Sequence, residues 1–163
     1  SDEAVLAAGR VLSCRTAANP VSKEVIVKPF LGPYSSHIYS IARIIIGLLY
    51  WQHGAQKLFG ILGQEQNVDL FSRLGLAGII EVVGGTFIVL GLFTPWAAFV
   101  ASGELAVAYY LTHAPRAFWP IMNGGELAVL FCFIFLFFAS RDSGAWSLDH
   151  LIWGNKAGQA SGD

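Results

Sequence analysis

Four apolar segments alternate with short polar links along the chain, and each has about the length of a membrane-crossing helix. They run from Ile38 to Phe59, from Leu74 to Leu92, from Trp96 to Leu111 and from Asn123 to Ser140. At about 1.5 Å per residue, each covers a bilayer core of about 30 Å or slightly less. A backbone in lipid must satisfy its own hydrogen bonds, which favours helices. Because the later links are short, the pattern predicts an all-α protein, an integral membrane antiparallel four-helix bundle.

The segments before and after these spans are more polar. Residues 1–38 carry several charges and three prolines, which resist helix interiors, so we expect an extramembrane N-terminal arm. Trp146–Trp153 predicts a short helix at the membrane interface, with Ser147 as its cap and the tryptophans among the headgroups. The expected organisation is an arm over residues 1–38, a transmembrane domain over 39–153 and a frayed tail over 154–163.

Composition supports the membrane class and indicates an orientation. Of the 163 residues, 55% are apolar and 13% charged, whereas soluble domains have roughly a quarter charged residues. The net charge of -1 gives no basic field for nucleic acid. Basic residues outside the hydrocarbon are more numerous on the side of the termini, which predicts that both termini are cytoplasmic. That side holds the basic residues of the arm with Arg43, Arg141 and Lys156, and the other side holds Lys57, Arg73 and Arg116.

Ionisable residues interrupt the apolar segments at five positions. Glu104 falls near the middle of its segment, and the others fall toward the outer half: His53, Lys57, Glu81 and Glu126. A charge at bilayer depth costs on the order of a few kcal/mol unless it is paired, neutralised or wetted. Ionisable residues that carry such a free-energy cost are the first candidates for a functional role.

The spacing places these residues on faces that should meet other helices. Glu81 and Glu104 each have small residues three positions before and four after, and small residues let membrane helices approach closely. His53 and Lys57 are four apart and share a face. We therefore predict one interior cluster of three carboxyls, one amine and one imidazole, with Gln56 at its edge. Three carboxyls beside one amine cannot all ionise cheaply, so at least one should be protonated at neutral pH.

Structural interpretations of the same residues stay open. The polar groups are equally suited to hydrogen-bond one helix to another, and Lys57 has the length to reach the outer interface. Asn123-Gly-Gly-Glu126 fits a capping box, with Asn123 as the structural cap. His53 is also typical of a core histidine. No metal is expected, because the chain lacks the Glu-x-x-His pairs of di-iron bundles, and no catalytic residue is assigned.

Three motifs in fixed order resemble the DoxX family of small four-span membrane proteins. They are His-Gly-Ala-Gln-Lys-Leu-Phe-Gly at 53–60, Gly-Ile-Ile-Glu-Val-Val-Gly-Gly at 78–85 with Leu-Gly-Leu-Phe-Thr at 90–94, and Asn-Gly-Gly-Glu-Leu-Ala at 123–128. The similarity covers residues 39–152. Many members have one more residue between the last glycine pair and the glutamate.

The resemblance implies a redox association. The family is named for a subunit of an archaeal terminal quinol oxidase, and a similar family supplies the membrane part of a thiosulfate:quinone oxidoreductase. It implies a multi-pass protein of a prokaryotic cytoplasmic membrane, attached to other membrane subunits of a respiratory or other redox complex. The first hypothesis is therefore a subunit whose polar cluster contacts a quinone, the one cofactor that the resemblance favours. The alternatives are a non-catalytic accessory subunit and a proton-coupled carrier of a small solute.

Overall fold

The computed structural model describes residues 29–63 and 68–157 of the chain, with side chains up to residue 154. The chain divides into two units, Ser1–Gly32 and Pro33–Asp163, and the helices below are those of the second unit. Most of the predicted arm (residues 1–28) and the last six residues of the predicted tail lie outside the described ranges. Within those ranges the regular elements are all helical, namely α1 (Ser35–Phe59), α2 (Arg73–Leu90), α3 (Thr94–Ala108), α4 (Pro120–Asn123), α5 (Glu126–Ala139) and α6 (Leu148–Ala157).

The four long apolar segments correspond to α1, α2, α3 and α5. Helix α1 begins at Ser35, inside the region expected to be an extended arm. Helix α3 ends at Ala108 and continues as one π-helical turn over Tyr109–His113. Among the described helices, α2 alone has both the length and the apolar composition of a membrane span, and α5 is apolar but shorter. The all-α class is confirmed, and the crossing of the bilayer by all four helices stays a prediction.

Among the described helices, α1 and α2 pack against each other most extensively. A Cβ atom added at Gly54 would lie 2.7 Å from both the Cβ of Glu81 and the carbonyl oxygen of Gly78, so only glycine fits there. Gly47, earlier in α1, lies against Val89, later in α2. Residues nearer the end of α1 therefore contact residues nearer the start of α2, so the two helices are antiparallel. The small-residue stripe of α2 faces α1, as the spacing predicted.

The other helices close the bundle around an aromatic core. The hydroxyl of Ser102 in α3 donates to the carbonyl oxygen of Cys132 in α5, at 2.8 Å. Between α1 and α5, the ring centroids of Tyr50 and Phe135 are 4.8 Å apart. Helices α2 and α3 also pack together, and α1, α3 and α5 contribute the most buried side chains. The prediction of a four-helix packing unit therefore agrees with the contacts.

Arg43 is buried inside the protein, although the sequence analysis counted it among the basic residues outside the hydrocarbon. Its side chain is fully buried, and its guanidinium donates to the carbonyl oxygens of Ile88, Val89 and Trp146. Carbonyls at the end of a helix lack intrahelical partners and carry partial negative charge, so they attract a cation. Arg43 therefore binds the end of α2 to the segment before α6. We call this side of the bundle the Arg43 end and the opposite side, where α1 ends and α2 begins, the Lys57 end.

The helix predicted over Trp146–Trp153 forms close to its predicted place, over Leu148–Ala157. The Ser147 hydroxyl oxygen accepts from the His150 backbone N–H at 3.1 Å, which confirms Ser147 as the cap. The helix is longer than predicted, because it continues to Ala157. Asp149 in its first turn accepts from the Phe93 backbone N–H at 3.0 Å. These contacts hold α6 against the turn between α2 and α3, at the Arg43 end.

The predicted capping box is wrong. Helix α5 begins at Glu126, and the residue before it, Gly125, makes no side-chain cap. Asn123 is instead the last residue of α4, and the chain turns at Gly124 before α5 begins. The Asn123 side chain accepts from the Gly125 N–H at 2.8 Å and donates to the Tyr109 hydroxyl at 3.2 Å. Because this turn separates the two residues, Asn123 orders the link, and Glu126 occupies the first helical position.

Large apolar side chains are exposed on the outer face of each long helix. A soluble monomer seldom exposes a continuous apolar surface of this kind, whereas a bilayer covers one. Representative residues with exposed fractions of 45–65% are Ile45 and Leu48 on α1, Leu76 and Val83 on α2, Phe99 and Val107 on α3, and Leu130 and Phe133 on α5.

Candidate functional site

An ion pair joins α1 to α2 near the Lys57 end. The Lys57 Nζ lies 2.6 Å from Glu81 Oε1, and the Glu81 side chain is only 5% exposed. The close approach at Gly54 brings the two helices near enough for this contact. Lys57 therefore does not extend alone to the interface, as the snorkelling interpretation required. Its charge is neutralised inside the protein, where an unpaired charge would be costly.

A second polar contact joins α1 to α3. The Tyr50 hydroxyl donates to Glu104 Oε2 at 3.0 Å, and Tyr50 is fully buried. Tyr50 was not among the predicted site residues, because a tyrosine in an apolar segment resembles any other large hydrophobic residue. Its hydroxyl could have indicated a polar contact, since a buried tyrosine hydroxyl generally needs a hydrogen-bond partner.

The remaining predicted members do not join these contacts. His53 packs edge-on to Phe131, with ring centroids 6.2 Å apart, which supports the core-histidine interpretation. The Gln56 side chain donates to the carbonyl oxygen of Leu62 in the loop after α1, at 3.1 Å. Glu126 is exposed at the start of α5. The structure thus brings Lys57, Glu81 and Glu104 to the contacts of α1 with α2 and α3. The other three predicted residues, His53, Gln56 and Glu126, take no part in these contacts.

A groove of about 960 Å³ lies between α2 and α3 toward the Lys57 end. Two of the predicted polar residues, Lys57 and Glu104, line this groove together. Its volume is in the range of small-molecule sites. Two further basic side chains line it, Arg73 at the start of α2 and His113 at the end of the π-helical turn. Its apolar wall includes Leu74, Leu76, Ala77, Ile80, Val100, Val107, Ala108 and Leu111.

His113, a lining residue of the groove, was not among the predicted site residues. Its Nδ1 lies 3.1 Å from the carbonyl oxygen of Asn123. Because a carbonyl oxygen only accepts, Nδ1 carries the proton in this contact. The π-helical turn places this ring at the groove, and π-turns occur often at functional sites. Sequence periodicity gave no signal for that turn.

A second, smaller cavity lies beside the groove, on the side nearer the Arg43 end. It has a volume of about 350 Å³ and shares Ile80 and Val100 with the groove. We call it the apolar channel, because its lining consists of Ile79, Ile80, Val83, Gly84, Phe87, Phe93, Trp96, Ala97 and Val100.

Other parts of the described chain give weaker candidates. A cavity of about 620 Å³ lies beneath α6, but its polar groups Ser143 and Asp149 hydrogen-bond to each other. Over residues 29–63 and 68–157, no group of three His, Cys, Asp or Glu side chains is placed to hold a metal ion.

Comparison with known proteins identifies the family. The DoxX family model matches residues 38–114, which include Lys57, Glu81 and Glu104. An uncharacterised protein of Haemophilus influenzae is 38% identical over 126 residues, covering 74% of this chain and 94% of the relative. The chain belongs to the DoxX family. A second relative of this DoxX protein, an uncharacterised membrane protein of Mycobacterium tuberculosis, is 28% identical over 131 residues, covering 68% of the chain and 78% of the relative.

The family assignment settles the class of the protein. The resemblance noted from the three sequence motifs is confirmed, and this DoxX protein is a membrane protein. The exposed apolar faces of its helices agree with that class. No solved structure matches the chain.

Proposed function

We propose that this DoxX protein is a membrane subunit of a respiratory or other redox complex and that it binds a quinone between α2 and α3. The observation that carries the proposal is the presence of Lys57 and Glu104 in the wall of one 960 Å³ groove. A quinone presents two carbonyl oxygens that accept hydrogen bonds, and the quinol presents two hydroxyls that donate them. A site for both forms therefore needs donors and acceptors at the same place.

The groove supplies both kinds of group. The Lys57 ammonium has three N–H donors, of which one reaches Glu81, and Glu104 has a second carboxyl oxygen besides the one bound to Tyr50. Glu104 is the acceptor for a quinol hydroxyl, and Lys57 is the donor to a quinone carbonyl. His113 supplies its Nε2 at the same groove. In this proposal the protein binds and orients the ligand, and another subunit of the complex exchanges electrons with it.

The test compares two glutamates with different positions. Glu104→Gln replaces the carboxyl group in the groove by an amide, and Glu126→Gln makes the same chemical change at an exposed site outside it. Protein is purified gently from a membrane that contains quinone, and the co-purified quinone is quantified by extraction and chromatography. We expect the wild type and Glu126→Gln to retain quinone and Glu104→Gln to retain at least fivefold less. Absence of quinone from the wild type, or equal loss in both variants, would contradict the proposal.

The same contacts favour a second candidate function, that of an accessory subunit without a ligand. Lys57–Glu81 joins α1 to α2 and Tyr50–Glu104 joins α1 to α3, so both contacts also serve as interhelical links. In that case the outer faces of the bundle bind the neighbouring subunits. Native mass spectrometry after mild extraction distinguishes the two functions, because an accessory subunit carries partner subunits with no bound quinone.

A further inference from the structure

The groove and the apolar channel are neighbours that share two lining residues but differ sharply in chemistry. The polar wall of the groove includes Lys57, Glu104, Arg73 and His113, whereas the channel is lined only by apolar side chains and Gly84. The channel also has about one third of the volume of the groove, at about 350 Å³ against about 960 Å³. Ile80 and Val100 lie at the junction between the two. A ligand that occupies both the groove and the channel must have a polar head and one apolar chain.

We propose that the apolar channel holds the isoprenoid tail of the quinone whose head lies in the groove. This inference rests on the proposed function and adds the position and direction of the tail. The head lies at the Lys57 end beside Lys57 and Glu104, and the tail runs between α2 and α3 toward Phe87 and Trp96 at the Arg43 end. A small apolar cavity beside a larger polar one fits a head with one chain better than a phospholipid with two.

Two glycines make the inference testable without disturbing the core. Gly84 lines the channel, and the nearest atom to an added Cβ there would be Tyr50 Cε1, at 3.9 Å. Gly103 lines the groove, and an added Cβ would meet nothing within 4 Å. An added Cβ therefore clashes with nothing at either position, and leucine also favours the helix more than glycine does. Gly84→Leu therefore blocks the channel alone, whereas Gly103→Leu narrows the groove.

The experiment uses two photoreactive quinones in nanodiscs that contain the full chain. One probe carries a diazirine on the ring and the other carries it at the end of the tail, and mass spectrometry maps the cross-linked residues. In the wild type we expect ring cross-links near Lys57 and tail cross-links near Phe87 and Trp96. Gly84→Leu should lower the tail yield at those two residues at least fivefold with the ring yield unchanged, and Gly103→Leu should lower both yields. Phe133→Leu, on the outer face of α5, is the control and should change neither.

The outcomes separate this inference from the proposed function. If the ring probe labels the groove but the tail probe labels lipid-facing residues evenly, the tail position is wrong and the quinone site stands. If neither probe labels the protein above the level of a lipid probe, both proposals fail. A diacyl phospholipid probe that labels Phe87 and Trp96, and that excess quinone does not displace, would assign the channel to lipid and overturn the inference.

Discussion

Glu81 and Glu104 both contact α1, but Glu81 forms an ion pair with Lys57 and Glu104 accepts a hydrogen bond from Tyr50. This difference indicates different roles for the two carboxyls. Glu81 is paired with a cation, is almost completely buried, and leaves its Oε2 without a hydrogen-bond partner in the described residues. Glu104 is bound by the neutral hydroxyl of Tyr50 and lines the groove. The carboxyl that neutralises Lys57 therefore belongs to the interior, and the carboxyl available to a ligand is Glu104.

Lys57→Met should destabilise the protein strongly, because Glu81 would lose its cation while staying buried. Removal of one partner from a buried ion pair costs about 3–5 kcal/mol. The double variant Lys57→Met/Glu81→Leu should recover most of that loss, since no unpaired charge is left behind. The measurement is reversible unfolding in mixed detergent micelles. Arg116→Met, at an exposed position, is the matched control and should change the free energy of unfolding by about 0.5 kcal/mol or less. A Lys57→Met variant as stable as this control would show that the pair contributes nothing.

At the scale of the elements, the site depends on how closely α1 approaches α2. Gly54→Ala should push the helices apart, because the added Cβ would lie 2.7 Å from a backbone oxygen that cannot move aside. Overpacking of this kind costs about 1–3 kcal/mol. Gly103→Ala, where an added Cβ meets nothing within 4 Å, should be neutral or stabilising by up to about 1 kcal/mol. Thermal unfolding of the two variants in one detergent compares them, and equal midpoints would count against the close packing.

The helices were predictable from the sequence, whereas the contacts between them were only partly so. Apolar segments of the right length gave the approximate limits of α1, α2, α3 and α5, and the glycine spacing gave the face of α2 that meets α1. Spacing within one helix does not tell which residue of a neighbouring helix lies opposite. That requires the axial register of two helices, which packing sets. Tyr50 was therefore missed as the partner of Glu104, and His53 was placed with the carboxyls although it packs on Phe131.

The burial of Arg43 was likewise not predictable from the sequence. From sequence, an arginine near the start of an apolar segment indicates a residue at the membrane surface. In the structure its three acceptors are carbonyls of α2 and of the segment before α6, which come together only after the chain has folded. Helix ends supply partial charges that no sequence pattern displays.

For the whole molecule, two cations with partners inside the protein, Arg43 and Lys57, change the basis of the predicted orientation. Arg43 and Lys57 bind groups inside the protein, so neither should count as a free loop charge. Six basic residues then remain on the side of the termini, namely Arg10, Arg15, Lys23, Lys28, Arg141 and Lys156, against Arg73 and Arg116 on the other side. The excess on the first side becomes proportionally larger, and basic loops favour the cytoplasm. The corrected count strengthens the expectation that both termini are cytoplasmic.

Cysteine labelling of intact spheroplasts tests this orientation. Cys14 and Cys132 are first changed to serine, and a single cysteine is then introduced at the Lys57 end by Phe71→Cys or at the Arg43 end by Ser140→Cys, both at exposed positions. Because the Lys57 end should face outward, a membrane-impermeant maleimide should label Phe71→Cys directly and Ser140→Cys only after the membrane is opened. Both variants should label fully in detergent, which controls for reactivity. The reverse pattern would place the termini outside, and the head of a quinone bound beside Lys57 and Glu104 would then lie nearer the cytoplasm than the outer surface.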